Sequence, residues 1–323
     1  MTAAPRLAVV IPAFDARETI VACLESLAAE GLAAPGGPAE VIVVDDASGD
    51  GTGGLVAGRF PWARLIRLER NVGADGARNL AVAAAGGEVI AFLDADCAVL
   101  PGWARAVLAG CGPGSPVVMG RVVPPPSFLQ RTLAVLELGE FLGTTPGPIE
   151  NFATLNLAVH APLARAHPFD AALRTCGDRA LSWDLRRLGI PVRFEPEQAV
   201  RHAPPLRAGS LLARRRRYVE AFLRLRRRDR TLPGGGLLSV LGPLAGPAVA
   251  MARIPRDLGR LLGAHAALGV AVAALPAHAL ALAAFRAVDG VLLTAALVDS
   301  PRGTRPERRA GPRSDAPRCR SEA

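Results

Sequence analysis

Asp94 and Asp96 stand two residues apart around Ala95. Two carboxylates at that spacing can both reach one hard cation. Mg²⁺ or Mn²⁺ held this way keeps coordination positions open for phosphate oxygens. A second acidic run lies upstream, Asp45-Asp46-Ala47-Ser48-Gly49-Asp50-Gly51-Thr52. Ser48 or Asp50 suits the N-cap of a helix that begins near Gly51. A cap leaves the two adjacent acids unexplained, and a carboxylate there can accept the imino N–H of a uracil ring. Asn71-Val72-Gly73 and Ala77-Arg78-Asn79 flank the start of another helix. A helix N-terminus favours anions, and Arg78 adds a cation beside it.

These residues need elements to hold them. Leu7–Ile11 is an unbroken apolar run ended by Pro12, with Asp15 just beyond. Val41–Val44 runs into Asp45-Asp46, Arg64–Leu68 reads as a third strand, and Val89–Leu93 runs into Asp94. Residues 17–30 and 74–85 carry helical patterns between them. Strands without polar alternation are buried on both faces. Alternating with helices, they make an α/β fold with a mostly parallel sheet. Ligands of such sheets bind beyond the carboxyl ends of the strands. Acids gathered at one such edge raise each other's pKa, and a divalent cation would relieve them.

All 38 basic residues are Arg, and the excess over acids is uneven. Residues 1–200 carry 16 Arg against 21 acids, whereas 201–230 carry 11 Arg against two. The N-terminal domain is therefore acidic, and basic residues interleaved with aromatics are absent from it. That excludes nucleic acid as its expected partner. Five cysteines, an odd number without CxxC spacing, argue against a disulfide framework or a zinc site. Met1–Pro5 leads directly into a strand-like run, so a cytosolic, reducing location is expected. A nucleotidyltransferase is disfavoured because no Gly-rich, Lys-containing phosphate loop follows the first strand.

Taken in order, Val10-Ile11-Pro12-Ala13-Phe14-Asp15, Val44 to Thr52, Asn71-Val72-Gly73 with Ala77-Arg78-Asn79, and Phe92 to Asp96 resemble family 2 of the glycosyltransferases. The resemblance implies a GT-A type (Rossmann-like) fold and an inverting transfer from a nucleotide sugar, UDP-sugar favoured. It implies that Pro12, Ala13, Phe14 and Asp15 hold the nucleotide base with Asp45-Asp46, that Arg78 assists, that Asp94 meets the ribose, and that Asp96 binds the metal. Thr154–Val159 and Pro168-Phe169-Asp170 resemble the family's acceptor side, where Asp178 keeps the place of the general base. Gly177 stands where the family has Glu, Ala180 where it has a second Asp, and Asp184 where it has Arg. Those departures admit a catalytically silent nucleotide-sugar-binding protein as the alternative. His202, after a strand-like run, is at the place of a His that completes the metal shell in related enzymes.

Boundaries are expected at 1–205 for the catalytic domain, 206–230 for a basic amphipathic helix, 231–300 for hydrophobic helices and 301–323 for a disordered tail. Leu211, Tyr218, Phe222 and Leu225 face away from Arg216, Arg217, Arg224, Arg227 and Arg228, as on a helix lying against an anionic membrane. Thr231–Ala252 and Leu261–Phe285 are uncharged and long enough to cross a bilayer core. The expected site of action is the cytoplasmic face of the membrane, on a lipid-linked or saccharide acceptor.

Overall fold

The computed structural model describes residues 6–34, 39–173, 175–206, 208–228 and 245–298. The chain forms two compact units. The first runs from residue 6 to Pro125 and from Glu140 to Pro204; the second contains Pro126–Gly139 and the described residues from Pro205 onward. The tail at 301–323, the loop at 35–38 and most of Thr231–Ala252 lie outside the described residues.

Unit one is built on a nine-stranded sheet. Its strands are β1 (Leu7–Ala13), β2 (Ala39–Asp45), β3 (Arg64–Arg67), β4 (Val89–Leu93), β5 (Cys97–Val99), β6 (Val117–Val123), β7 (Gly147–Ile149), β8 (Asn156–His160) and β9 (Val192–His202). The spatial order is β3-β2-β1-β4-β8-β6-β9-β5, with β7 on β9. The first four strands are parallel; β1, β2 and β4 carry the buried apolar runs expected of such a sheet, and β3, Arg-Leu-Ile-Arg, is its partly exposed edge. Beyond them the sheet is mixed: β8 runs antiparallel to both β4 and β6, and β9 is parallel to β6 but antiparallel to β5 and β7. The expected parallel character thus holds for the half with crossover helices. From β1 the chain continues to β2 on one side, while β3 leads back across to β4 on the other. The strand order thus switches direction between β1 and β4, and in open α/β sheets ligands bind beyond the carboxyl ends of the strands at such a point.

Helix α1 (Ile20–Ala29) buries Ile20, Cys23, Leu24 and Leu27 on one stripe. Helices α2 (Thr52–Arg59), α3 (Ala74–Ala84) and α4 (Trp103–Gly110) follow β2, β3 and β5. Later come α6 (Ala161–Ala166) and α7 (Gly177–Arg187). Leu7, Val9, Val10 and Ile11 are fully buried, as are Ile42, Val43 and Val44. Each such side chain contributes about 1.5–3 kcal/mol by leaving water.

A polar cluster fixes the far half of the sheet. The β6–β9 register jumps from Gly120↔Glu195 to Arg121↔Ala199, which strands backbone carbonyls inside the protein. Asn156 on β8 answers them: its Nδ2 donates to Arg121 O at 3.0 Å and Gln198 O at 2.7 Å. Its Oδ1 accepts Trp103 Nε1 at 2.9 Å and Gln198 Nε2 at 3.2 Å. Only glycine fits at 120, where a Cβ would stand 2.1 Å from Gln198 O. The bulge directs the end of β9, with His202, toward β5.

Unit two is helical: α5 (Phe128–Leu138), α8 (Ala208–Arg228), α9 (Ala245–Met251), α10 (Ile254–Ala264) and α11 (Leu275–Val298). The expected continuous run Leu261–Phe285 is broken between α10 and α11. Gly269 adopts φ +62° there, and Pro276 sits in the first turn of α11, where its missing N–H does no harm. Val272–Ala296 is long and apolar enough to cross a membrane by length and composition, with mean hydropathy 1.7. It nevertheless carries Arg286 and Asp289, both buried. Arg286 Nε donates to Asp257 Oδ2 at 2.6 Å, and Arg215 Nε donates to Asp289 Oδ1 at 3.0 Å. Arg216, Arg217 and Arg224 on α8 are exposed, but Arg215 turns inward to Asp289 and Glu137.

Candidate active site

The loops after β1 and β2 are laced together. Pro12 and Ala13 end β1, Phe14 is 53% exposed, and Asp15 takes the left-handed φ of +47°. Asp15 N–H donates to Ser48 Oγ at 3.0 Å, and Gly49 N–H returns to Asp15 Oδ1 at 2.9 Å. Asp50 accepts Arg17 N–H and Thr52 N–H, both at 2.9 Å. Desolvation raises the Asp50 pKa, but the bonds from Thr52 hydroxyl and the two N–H groups together outweigh it and leave the net shift downward. The N-cap of α2 is Gly51, at φ +85°, rather than Ser48 or Asp50; Asp50 precedes it and accepts the N–H of Thr52, while Ser48 accepts from Asp15.

The adjacent acids divide their work. Asp45, on the last residue of β2, accepts Ser48 N–H at 3.1 Å and faces Arg67 Nε at 3.9 Å. Asp46 is 2% exposed, and its two oxygens accept Val72 N–H at 2.7 Å and Gly73 N–H at 2.9 Å. Asn71 Nδ2 donates to Asp46 O at 3.2 Å. Gly73 meets this demand with φ +82°, a conformation glycine adopts without strain. The Asn-Val-Gly loop is therefore hung on Asp46.

Arg78 lies inside the protein rather than at the mouth of a phosphate site. Its Nη1 donates to Asp75 at 2.9 Å and its Nη2 to Asp94 at 2.7 Å. Its guanidinium lies 5.9 Å from the Phe169 ring centroid. Asp94 keeps a third of its side chain exposed. The pairing of β5 with β9 sets Cys97 opposite His202, and His202 Nε2 lies 3.4 Å from Asp96 Oδ2. Asp96, Cys97 and His202 each offer a ligand atom within 4.8 Å of the others. Bonds of about 2.1 Å to one ion place neighbouring ligands roughly 3–3.5 Å apart, so the carboxylate and imidazole fit a divalent cation. The Cys97 thiol is buried, and desolvation with the nearby Asp96 and Asp94 charges drives its pKa up.

Asp178 is in the first turn of α7 but does not cap it. Cys176, at φ +65°, occupies the N-cap, and Asp178 accepts Arg179 N–H at 2.7 Å. Burial raises the Asp178 pKa; Arg179 and Arg78 oppose that, and Asp94 adds to it. The structure thus puts Asp94, Arg78 and Asp178 within electrostatic reach of one another. The spacing pattern had not marked Asp75, which is 4% exposed and joined to the same guanidinium. Its one sequence signal is the i,i+3 pairing of Asp75 with Arg78.

Residues 8–154 match the model of glycosyl transferase family 2. The succinoglycan biosynthesis protein ExoO of Rhizobium meliloti (strain 1021) is 44% identical over 105 residues, 32% of this chain and 29% of ExoO. From Escherichia coli, the UDP-Glc:alpha-D-GlcNAc-diphosphoundecaprenol beta-1,3-glucosyltransferase WfaP is 36% identical over 92 residues, 28% of this chain and 35% of WfaP. The chain therefore spans about a third of the length of these relatives. Among solved structures, the mannosyltransferase PcManGT from Pyrobaculum calidifontis, in complex with GDP-Man and Mn²⁺, superposes with a TM-score of 0.56 at 23% identity. That superposition covers 92% of this chain and 86% of PcManGT, and it shows a shared GT-A fold. Residues 8–154 thus form a glycosyl transferase family 2 domain.

Proposed function

We propose that the chain is a metal-dependent, inverting glycosyltransferase that moves a sugar from a UDP-sugar to a lipid-linked or saccharide acceptor. One observation carries this reading: Asp96 Oδ2 and His202 Nε2 lie 3.4 Å apart, two residues beyond Asp94, which Arg78 holds at 2.7 Å. This supports a cation site and a donor contact close together beyond the end of β4. WfaP, by its name, uses UDP-Glc and a diphosphoundecaprenol-linked acceptor, which supports the same class here.

The base of the donor lies between the Pro12–Asp15 loop and the segment that Asp46 holds. Asp94, oriented by Arg78, accepts from a ribose hydroxyl. Asp96 and His202 would hold Mg²⁺ or Mn²⁺, which would supply positive charge to neutralise the departing diphosphate. Asp178 takes the proton of the acceptor hydroxyl as that oxygen bonds to the anomeric carbon. The bond to the diphosphate oxygen breaks on the opposite face, so configuration inverts. Burial that raises the Asp178 pKa makes it a stronger base for this step. The exposed apolar residues Leu262, Val272, Leu280 and Val291 of unit two, with exposed Arg216, Arg217 and Arg224, support action at an anionic cytoplasmic membrane surface.

The test screens UDP- and GDP-sugars for release of the nucleoside diphosphate, with and without Mn²⁺ and with a membrane lipid extract as acceptor. Metal-dependent release lost in Asp96→Ala supports the proposal. Full activity of Asp96→Ala removes the metal assignment. Saturable donor binding without turnover by the wild type selects the silent binding protein instead.

A further inference from the structure

Asp75 opens α3 and is almost wholly buried between two elements of the site. On one side Arg78 joins it to Asp94, with bonds of 2.9 and 2.7 Å from two arms of a single guanidinium. A guanidinium is planar and rigid, so fixing one arm fixes the direction of the other. On its other side Asp75 meets the first residue of α7. A Cβ on Gly177 would stand 2.0 Å from Asp75 Oδ2, 2.6 Å from its Cγ and 3.1 Å from its Oδ1. The carboxylate of Asp75 therefore fills the space that a side chain at 177 would take, one residue before Asp178. The remaining wall is also fixed: Asn79 holds the backbone of Phe169 with bonds of 2.8 and 2.9 Å, and Phe169 lies under Arg78.

We propose, on the reading of the site given above, that Asp75 is a positioning residue for the transfer. It holds Arg78 so that Asp94 faces the donor, and it packs on Gly177 so that the first turn of α7 presents Asp178. Asp75 touches neither donor nor acceptor. The pair is reciprocal: an acid at 75 requires glycine at 177. An acid placed at 177 could reach the same space if 75 were emptied, because the Cβ position already lies within 3.1 Å of both Asp75 oxygens.

Three variants test this, Asp75→Ala, Gly177→Ala and the relocation Asp75→Ala/Gly177→Asp. Their initial rates are measured with the donor that the wild type turns over. Asp75→Ala is expected to raise the donor KM about tenfold, the loss of one well-placed charged contact. Gly177→Ala moves KM the same way by displacing Asp75. The relocation variant brings KM back to within about threefold of wild type, since the two positions share one contact. A purely structural role would lower the active fraction, and with it the apparent kcat, at unchanged KM; that result, or failure of the relocation to restore KM, overturns the proposal. Urea unfolding of Asp75→Asn, Gly177→Ala and their double variant provides a readout independent of activity. One shared contact makes the double variant no less stable than the worse single, whereas additive losses overturn the inference. A wild type that neither binds nor turns over nucleotide sugar refutes the function proposed above, and the unfolding comparison still decides whether Asp75 and Gly177 are coupled as proposed.

Discussion

Replacing Asp46 by Asn should destabilise unit one far more than the same change at its neighbour Asp45. Asp46 gives one oxygen to Val72 N–H at 2.7 Å and the other to Gly73 N–H at 2.9 Å, at 2% exposure. An asparagine keeps one accepting oxygen and turns an amide NH₂ against the other backbone N–H. One charge-assisted hydrogen bond is lost and a buried donor is orphaned, at a combined cost of about 3 kcal/mol. Asp45 accepts a single N–H at 3.1 Å, and its nearest cation, Arg67, is 42% exposed. Solvent screening leaves that ion pair little, so Asp45→Asn is expected to cost about 1 kcal/mol. For a folding unit of this size about 3 kcal/mol lowers the melting temperature by roughly 6–12 °C. Thermal unfolding followed by circular dichroism reads the difference. Equal losses at the two positions, or a loss below about 0.5 kcal/mol at Asp46, would show that the Asn-Val-Gly loop is not hung on this carboxylate.

Three further outcomes are expected. Turnover should rise with pH through the raised pKa of Asp178, because the proton that must leave the acceptor needs an ionised carboxylate; Arg179→Met removes a charge that lowers this pKa and should move the acid limb to higher pH. A limb that moves to lower pH in that variant would contradict the assigned electrostatics. Gly120→Ala forces a Cβ to 2.1 Å from Gln198 O and 2.2 Å from Asn156 Nδ2, and should cost about 3 kcal/mol in urea unfolding. In unit two, Asp257→Ala leaves Arg286 with one of its two buried acids and should cost about 3–5 kcal/mol, while Asp257→Leu/Arg286→Met should recover most of it.

The strands of the parallel half, and the acids at their ends, were legible because an unbroken apolar run followed by Asp is a local pattern. The start of α2 was legible near Gly51, but its cap was not: Gly51 itself, in a left-handed conformation, takes the place expected of Ser48 or Asp50. Asp75 was not legible. In sequence it is one acid in a first helical turn, where any acid suits the dipole. Its meaning comes from Gly177, about a hundred positions away, and glycine signals only that something else needs the space. The direction of β9 was hidden likewise, because it depends on a bulge whose carbonyls are answered by Asn156 from another strand. Helix α5 belongs to the second unit although residues on both sides of it belong to the first. Its ties, such as Arg215 to Glu137 at 3.2 Å, span more than seventy positions and leave no local trace.

The acids at the sheet edge also correct the reason first given for them. Gathered carboxylates implied a cation to relieve their repulsion. In the structure most of that relief is internal. Asp15, Asp45, Asp46 and Asp50 accept backbone N–H groups of the loops they shape, and Asp94 is held by Arg78. Oriented N–H dipoles do for these four what a metal was expected to do for all. Asp96 also lies 3.4 Å from an imidazole and 3.8 Å from a thiol, both groups that can share a cation. The acidic edge is thus two systems with separate tasks. One builds the loops that would surround a nucleotide, and needs no metal to stand. The other, Asp96 with His202, is where a cation would bring charge to the diphosphate, and the loops can be in place before it arrives.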